Sequence, residues 1–445
     1  MAILEKLMGR KMELEKYSMG LGDRFGFEGA AQLRALQKAE TLGVRIVPVW
    51  NKSNREHSII GTSPDDTRQE ADRAVKSCKW TGSYYVDADH IGLTTVDRFL
   101  TASDFFTIDV ADYIGKQTHA ENVVAFASAM SRFKGVLHVP DMAVPIVVTD
   151  GLLVGVAQKY LYAVEEAGKV YRHIAEQKGS GGFVAEVSLD EANTPQTPAE
   201  LFFILAAISR EGIPVQTIAP KFTGSFLKGI DYVGDVQRFT QEFDDDITVI
   251  ACAVKTFGLP HNLKLSIHSG SDKFSLYPAI HSAIKKFDAG LHVKTAGTTW
   301  LEEVIGLAAS DGDGLRLAKE VYAEAFKRYD ELVKPYQTVI DIDKRQLPDP
   351  KQVEAWDATH YVETIQHNQS CKRFNLHFRQ LVHVGYKVAA EMNGRFTGLL
   401  ERCRSTIEPN VTTNIFNRHI QPLFLGQNGA NGTPMKKESA SRISA

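Results

Sequence analysis

Eight short runs rich in β-branched and aromatic residues recur along this chain, each followed by a longer stretch with helical spacing. The runs are YSMGLG (17–22), VRIVPVW (44–50), SYYVDAD (83–89), FFTIDVA (105–111), GFVAEVS (182–188), IPVQTIA (213–219), NLKLSIHS (262–269) and LHVKTA (291–296). Helical stretches such as GAAQLRALQKAETL (29–42), SPDDTRQEADRAVKSC (63–78) and TPAELFFILAAISREG (197–212) lie between them, the last two opening with capping signals. Strands separated by helices pair in parallel through right-handed crossovers. Eight such units are the number that closes a (β/α)8 barrel. An open doubly wound sheet would call for a glycine-rich phosphate loop after an early strand, and neither GxGxxG nor GxxxxGKS/T occurs. The expected fold is therefore α/β, a TIM-like (β/α)8 barrel over residues 1–334.

A Val-, Met- and Pro-rich insertion at 115–150, between the fourth strand and its helix, is expected to cover the barrel mouth. After the Pro- and Asp-punctuated connector that begins near 335 the alternation stops, and a mainly helical appendage is expected to 425. The glycine- and serine-rich end, 426–445, reads as a disordered tail. The net charge of −3 leaves no electrostatic footprint for nucleic acid. Four widely spaced cysteines without a CxxC pair suit reduced thiols and a cytoplasmic protein. No apolar run approaches the roughly 18 residues that span a bilayer. The N-terminal MAILEKLMGRKMELEKY is broken by charges, which argues for a short amphipathic helix rather than a signal peptide. The number of subunits stays open.

A barrel of this kind places its chemistry at the C-terminal ends of the strands. Those ends are crowded with acids, histidines and lysines, and the opposite ends are plain. Asp23 and Arg24 follow the first run, Lys52 and Glu56 the second, Asp87, Asp89 and His90 the third, and Asp109 the fourth. Glu186 and Asp190 follow the fifth, and Lys221, Lys228 and Asp231 the sixth. His268, Ser271, Asp272 and Lys273 follow the seventh, and His292, Lys294 and Thr295 belong to the eighth. His90, His268 and His292 form the candidate ligand set for a divalent metal, with zinc the first choice and nickel, cobalt or manganese also suited to nitrogen and oxygen donors. Arg24, Lys273 and Lys294, with the backbone N–H groups of TAGTT, point to an anionic small molecule. The substrate-binding candidates are Arg24, Lys52, Asp89, Lys221, Ser271, Asp272, Lys273, Lys294 and Thr295. Asp89 and Asp272 serve equally as orienters of the histidines or as strand-end caps.

The segments GDRFGF, YVDADHI, FTIDVADY, APKF, GIDYVGD, HSGSDKFS and HVKTAGT occur in this order around the whole barrel. Together they resemble the tagaturonate/fructuronate epimerase family, from about residue 18 to 305 and more faintly to about 390. The 115–150 insertion and the glycine-rich tail depart from that pattern. The resemblance implies a metal-dependent isomerase that interconverts two keto-uronates, with the metal on His90, His268 and His292 and with Glu56 and Asp231 as acid and base. The two sugars differ at C4 while the carbonyl is at C2, so simple enolisation does not invert the centre. Cleavage and resealing of C3–C4 is the expected route, and removal and return of the C4 proton the costlier one. Two other kinds of protein fit the same residues: a metal-dependent aldolase or ketose isomerase, and a non-catalytic sugar-acid binding protein.

Overall fold

The computed structural model describes residues 11–295 and 297–426. Its eight barrel strands are β1 (Tyr17–Leu21), β2 (Val47–Ser53), β3 (Tyr85–Ile91), β4 (Phe105–Asp109), β5 (Val184–Ser188), β6 (Thr217–Ala219), β7 (Lys264–Ile267) and β8 (Leu291–Lys294). They close in sequence order into one barrel, with every neighbouring pair parallel. The seam joins β1 to β8, with Ser18 opposite His292 and Gly20 opposite Lys294. At Gly20 a Cβ would come within 3.1 Å of Lys294 Cα and Cγ and 3.3 Å of Asn51 Oδ1, so only glycine leaves the Lys294 side chain its path into the barrel.

Successive side chains on a strand alternate between faces. The outward set is apolar and packs beneath the helices, as with Met19, Trp50, Val86, Phe106, Val187 and Val293. The inward set changes character along the barrel axis. At the N-terminal end Val47, Val49, Tyr85, Phe105 and Val184 make an apolar plug with Leu14. Towards the C-terminal end the same strands turn in Asn51, Asp87, Thr107 and Glu186, and β8 turns in Lys294, all nearly inaccessible to solvent. Burying charge on this scale is costly unless it is paired, and the pairing described below is what the upper barrel is built around.

Both expected capping boxes form. Ser63 N donates to Asp66 at 2.7 Å, and Thr197 N donates to Glu200 at 2.8 Å. A third sits at the mouth, where Ser53 and Glu56 exchange backbone and side-chain hydrogen bonds at the start of helix Asn54–Ile60.

The 115–150 insertion folds as helix Ala120–Met130 and an antiparallel hairpin, Gly135–Leu137 with Ile146–Val148. It lies against the outer helices Asp150–Lys178 and Pro198–Arg210, with Phe133 seated on Phe202, Phe203 and Phe257. The expectation that it covers the mouth is therefore corrected: its apolar residues find their partners on the barrel's flank. The mouth is walled instead by Tyr336, Thr338 and Val339, from the connector that leads into the C-terminal helices. Those helices run from Pro350 to Leu425 and pack on helix Thr298–Ala309 and helix Gly312–Lys327. The expected N-terminal helix and tail fall almost wholly on residues outside those described, and Lys11–Glu15 is not helical.

Candidate active site

YVDADHI places Asp89 and His90 next to each other on β3, where alternation would send neighbours to opposite faces. The pairing of β3 with β4 slips between Ala88 and Ile91, and His90 has a φ of +53° in the slip. This bulge re-aims the strand so that Asp89 and His90 both line the mouth. His90 meets His268 edge to face, their ring centroids 5.0 Å apart.

His90, His268 and Asp190 each offer one ligand atom, and the three atoms lie within 4.8 Å of one another. The remaining ring nitrogens are held from behind. His90 Nδ1 is 3.1 Å from Asp109 Oδ2, and His268 Nε2 is 2.7 Å from Glu186 Oε1. His268 Nδ1 is buried and has no hydrogen-bond partner, although Asp190 Oδ1 is 3.2 Å away. Two imidazoles oriented by carboxylates, beside a third carboxylate, make a donor set that fits a divalent cation. The charges agree. Burial opposes a proton on His90, yet Asp89 and Asp109 outweigh it and push the group up to about 10. Burial likewise opposes a proton on His268, and Asp190 and Glu186 raise it to about 9. The negative potential that would keep protons on both rings is the potential that attracts a dication.

Beneath the trio lies an ion cluster. Lys294 Nζ is 2.7 Å from Asp89 Oδ1, 2.8 Å from Asp87 Oδ2 and 3.3 Å from Glu186 Oε1. Burial pushes Asp87 up to about 6. At Asp89 burial acts the same way, but Lys294 outweighs it and holds the group down at about 2.

A cavity of about 590 Å³ opens above these groups. Of the expected site residues, Arg24, Glu56, Asp89, Lys221, Lys294, His90 and His268 line it. Arg24 Nε donates to Glu56 at 3.1 Å, and the guanidinium lies 4.0 Å over the Tyr386 ring. Burial raises Glu56, but Arg24 prevails and leaves its carboxyl below the ordinary range.

Other expected residues sit elsewhere. His292 is second in its strand, a layer below Lys294. Its Nδ1 is 2.8 Å from Ser18 Oγ, its ring lies 5.2 Å from Phe105, and burial pushes it down to about 3. It is not one of the three clustered donor residues, among which Asp190 stands beside His90 and His268. Asp231 is spent on Ser275 N and Oγ and on its neighbour's N–H, away from the cavity wall. Lys52 follows Asn51 on β2 and so faces outward, near His57 and Glu70. Ser271 bonds Thr298, and Thr295 Oγ1 donates to Gly20 O at 2.6 Å. Lys273 Nζ donates to Leu227 O and Ile230 O at 2.8 and 2.7 Å. Asp272 is wholly buried against Arg379 and His419 of the C-terminal helices and His367 of the loop between two of them.

The structure adds residues that the sequence reading left unassigned. Asp190 stands two positions beyond β5, where an acid in VSLD was visible. Asn51 lines the cavity with both side-chain amide atoms unpartnered. Lys228, Tyr336 and Thr338 line it as well.

A family model described as UxaE, tagaturonate epimerase, matches residues 2–402. A tagaturonate/fructuronate epimerase of Thermotoga maritima is 29% identical over 406 residues, covering 88% of this chain and 76% of that protein. Among solved structures, the glycerol-bound fructuronate-tagaturonate epimerase UxaE of Cohnella laeviribosi superposes with a TM-score of 0.75 at 22% identity, covering 94% of this chain and 83% of that one. Its native form gives 0.73 over 95% and 85%. At that identity the superposition speaks for the shared barrel. No helix among the described residues is long and apolar enough to cross a membrane.

Proposed function

Because the chain belongs to the tagaturonate epimerase family, we propose that it interconverts tagaturonate and fructuronate by opening and resealing the C3–C4 bond in the cavity over β3, β5 and β7. The observation that carries the metal-dependent form of this reading is the convergence of His90, Asp190 and His268, with His268 Nδ1 buried 3.2 Å from Asp190 Oδ1. These three residues would hold a divalent cation, zinc first and nickel, cobalt or manganese as alternatives. When bound, the cation would supply Lewis-acid stabilisation of the charge that develops on the C2 carbonyl oxygen.

The chain's own groups account for the rest. Glu56 is kept ionised by Arg24 and faces the cavity, so it accepts the C4 hydroxyl proton as the C3–C4 bond breaks. Asp89 is kept ionised by Lys294 on the cavity floor. The alkoxide formed when the turned aldehyde is attacked takes its proton from the Lys294–Asp89 pair on that floor, and Glu56 gives up the proton it accepted between turnovers, so none is gained or lost. This assigns to Asp89 the role expected of Asp231, which is not among the residues that line the cavity. Asn51, with amide atoms that lack partners, is placed to bind a sugar hydroxyl. The wall formed by Tyr336 and Val339 keeps water from the separated halves.

Turnover of tagaturonate in deuterium oxide tests the reading. The expected product is fructuronate without solvent deuterium at C4, formed by metal-loaded protein and not after exhaustive chelation. Deuterium at C4 would exclude the bond-cleaving route, and unchanged turnover after chelation would exclude the metal.

A further inference from the structure

We propose that Lys228 is the carboxylate anchor of the sugar acid, the contact that retains the carboxylate-bearing fragment while it turns. The inference rests on the function proposed above and assigns one of its contacts. In a C3–C4 cleavage the C4–C5–C6 half carries the aldehyde and the carboxylate. That half must rotate before the bond reforms, and unless it is held by a group remote from C4 it is lost.

The other cations of the cavity are engaged. Lys294 is surrounded by Asp87, Asp89 and Glu186. Arg24 is bonded to Glu56 and stacked on Tyr386. Lys221 Nζ points to Asp190 O at 3.5 Å, and exposed Arg55 reaches Pro335 O at 3.5 Å. Lys228 lines the same cavity, partly buried, and its ammonium has no hydrogen-bond or ion-pair partner among the described residues. Burial and the nearby Arg24 lower its affinity for a proton, so an entering carboxylate relieves an existing strain on the ammonium.

The backbone on either side is fixed by the C-terminal part of the chain. Lys228 N donates to Val339 O at 2.8 Å, and Arg379 Nε donates to Gly229 O at 2.5 Å. Arg379 is itself fully buried and paired with Asp272, which follows β7. The loop that offers the lysine is thus tied both to the connector over the mouth and to the barrel, so little order has to be gained on binding. This also gives the helical appendage a task, which is to hold a cation where the sugar's acid end must lie.

Isothermal titration of metal-loaded protein with D-fructuronate and with D-fructose, which has CH2OH in place of the carboxylate, tests the assignment. A hydrogen bond to a charged group is worth about 1.5–3 kcal/mol, or roughly 10- to 150-fold in affinity. Lys228→Met is expected to weaken fructuronate by that factor, to leave fructose within about twofold, and so to remove most of the discrimination between them. Lys228→Arg is expected to restore most of it. Equal weakening of both sugars, or discrimination that survives in Lys228→Met, overturns the anchor while leaving the epimerase reading intact. Wild-type protein that binds neither sugar overturns the epimerase reading, and the anchor with it.

Discussion

Lys294 Nζ sits 2.7 Å from Asp89 Oδ1 although 205 residues separate them, one at the end of β8 and the other in the bulge of β3. The contact spans the barrel interior, and Asp87 and Glu186 converge on the same ammonium. Three carboxylates around one lysine are tolerable only while the lysine is charged and present. Lys294→Met is therefore expected to destabilise the fold by about 3–5 kcal/mol, the usual cost of stranding buried partners. Chemical denaturation read by circular dichroism checks this, and an unchanged midpoint would refute it.

Metal content separates Asp190 from His292 as the third ligand. Asp190→Ala and His268→Ala are expected to lose stoichiometric divalent metal, measured by mass spectrometry after dialysis. His292→Ala is expected to retain it, because that ring lies lower in the barrel and contacts Ser18. Metal lost on His292→Ala and kept on Asp190→Ala would reverse the assignment.

The first βα loop gives a stability prediction with a definite sign. Glu28 is almost fully buried, its Oε2 has no partner, and burial followed by the charge of Asp23 pushes it up to about 8. The folded state keeps this proton to higher pH than the unfolded chain, which releases it near the ordinary glutamate value. Stability from this group is thus full in acid and is lost as pH rises towards 8. Glu28→Gln is expected to raise the melting temperature at pH 8 and to leave it nearly unchanged at pH 4. Thermal melts at the two pH values decide the matter, and a gain confined to pH 4 would show the sign to be wrong.

Arg379 and Asp272 are both fully buried and join the C-terminal helices to the turn after β7. Arg379→Leu is expected to cost about 3–5 kcal/mol. Asp272→Asn combined with Arg379→Leu is expected to cost less than the sum of the two single changes, because each single change strands the other partner. Strict additivity would mean that the two residues do not act as a unit.

The barrel is legible in the sequence because most of its strands are separated by helices long enough to show their own spacing, β3 and β4 excepted, which only the short turn Val96–Arg98 separates. The site is legible only in part. His90 and His268 end strands and could be found that way. Lys52 misleads because β2 runs to Ser53 rather than stopping at Trp50. The inward parity Val47, Val49, Asn51, Ser53 would have selected Asn51 instead. Asp272 and Lys273 look like site residues because HSGSDKFS is rich in chemistry. The chain there turns through positive φ at Ser269 and Asp272, and it spends those side chains on neighbouring loops and helices. His292 shares a strand with Lys294, but two residues of rise are enough to put it in a different layer. The Asp190 contribution depends on how the loop after β5 bends, which no period in the sequence records.

Tyr336 and Val339 wall a cavity whose floor was complete by Lys294. During synthesis, which proceeds from the N-terminus, all eight strands leave the ribosome well before the helices that pin Gly229 and seat Arg24. A chain made only as far as β8 has every strand of its ring yet no finished chamber, so reactive sugar halves meet a competent site only once the helices as far as Tyr386 have followed.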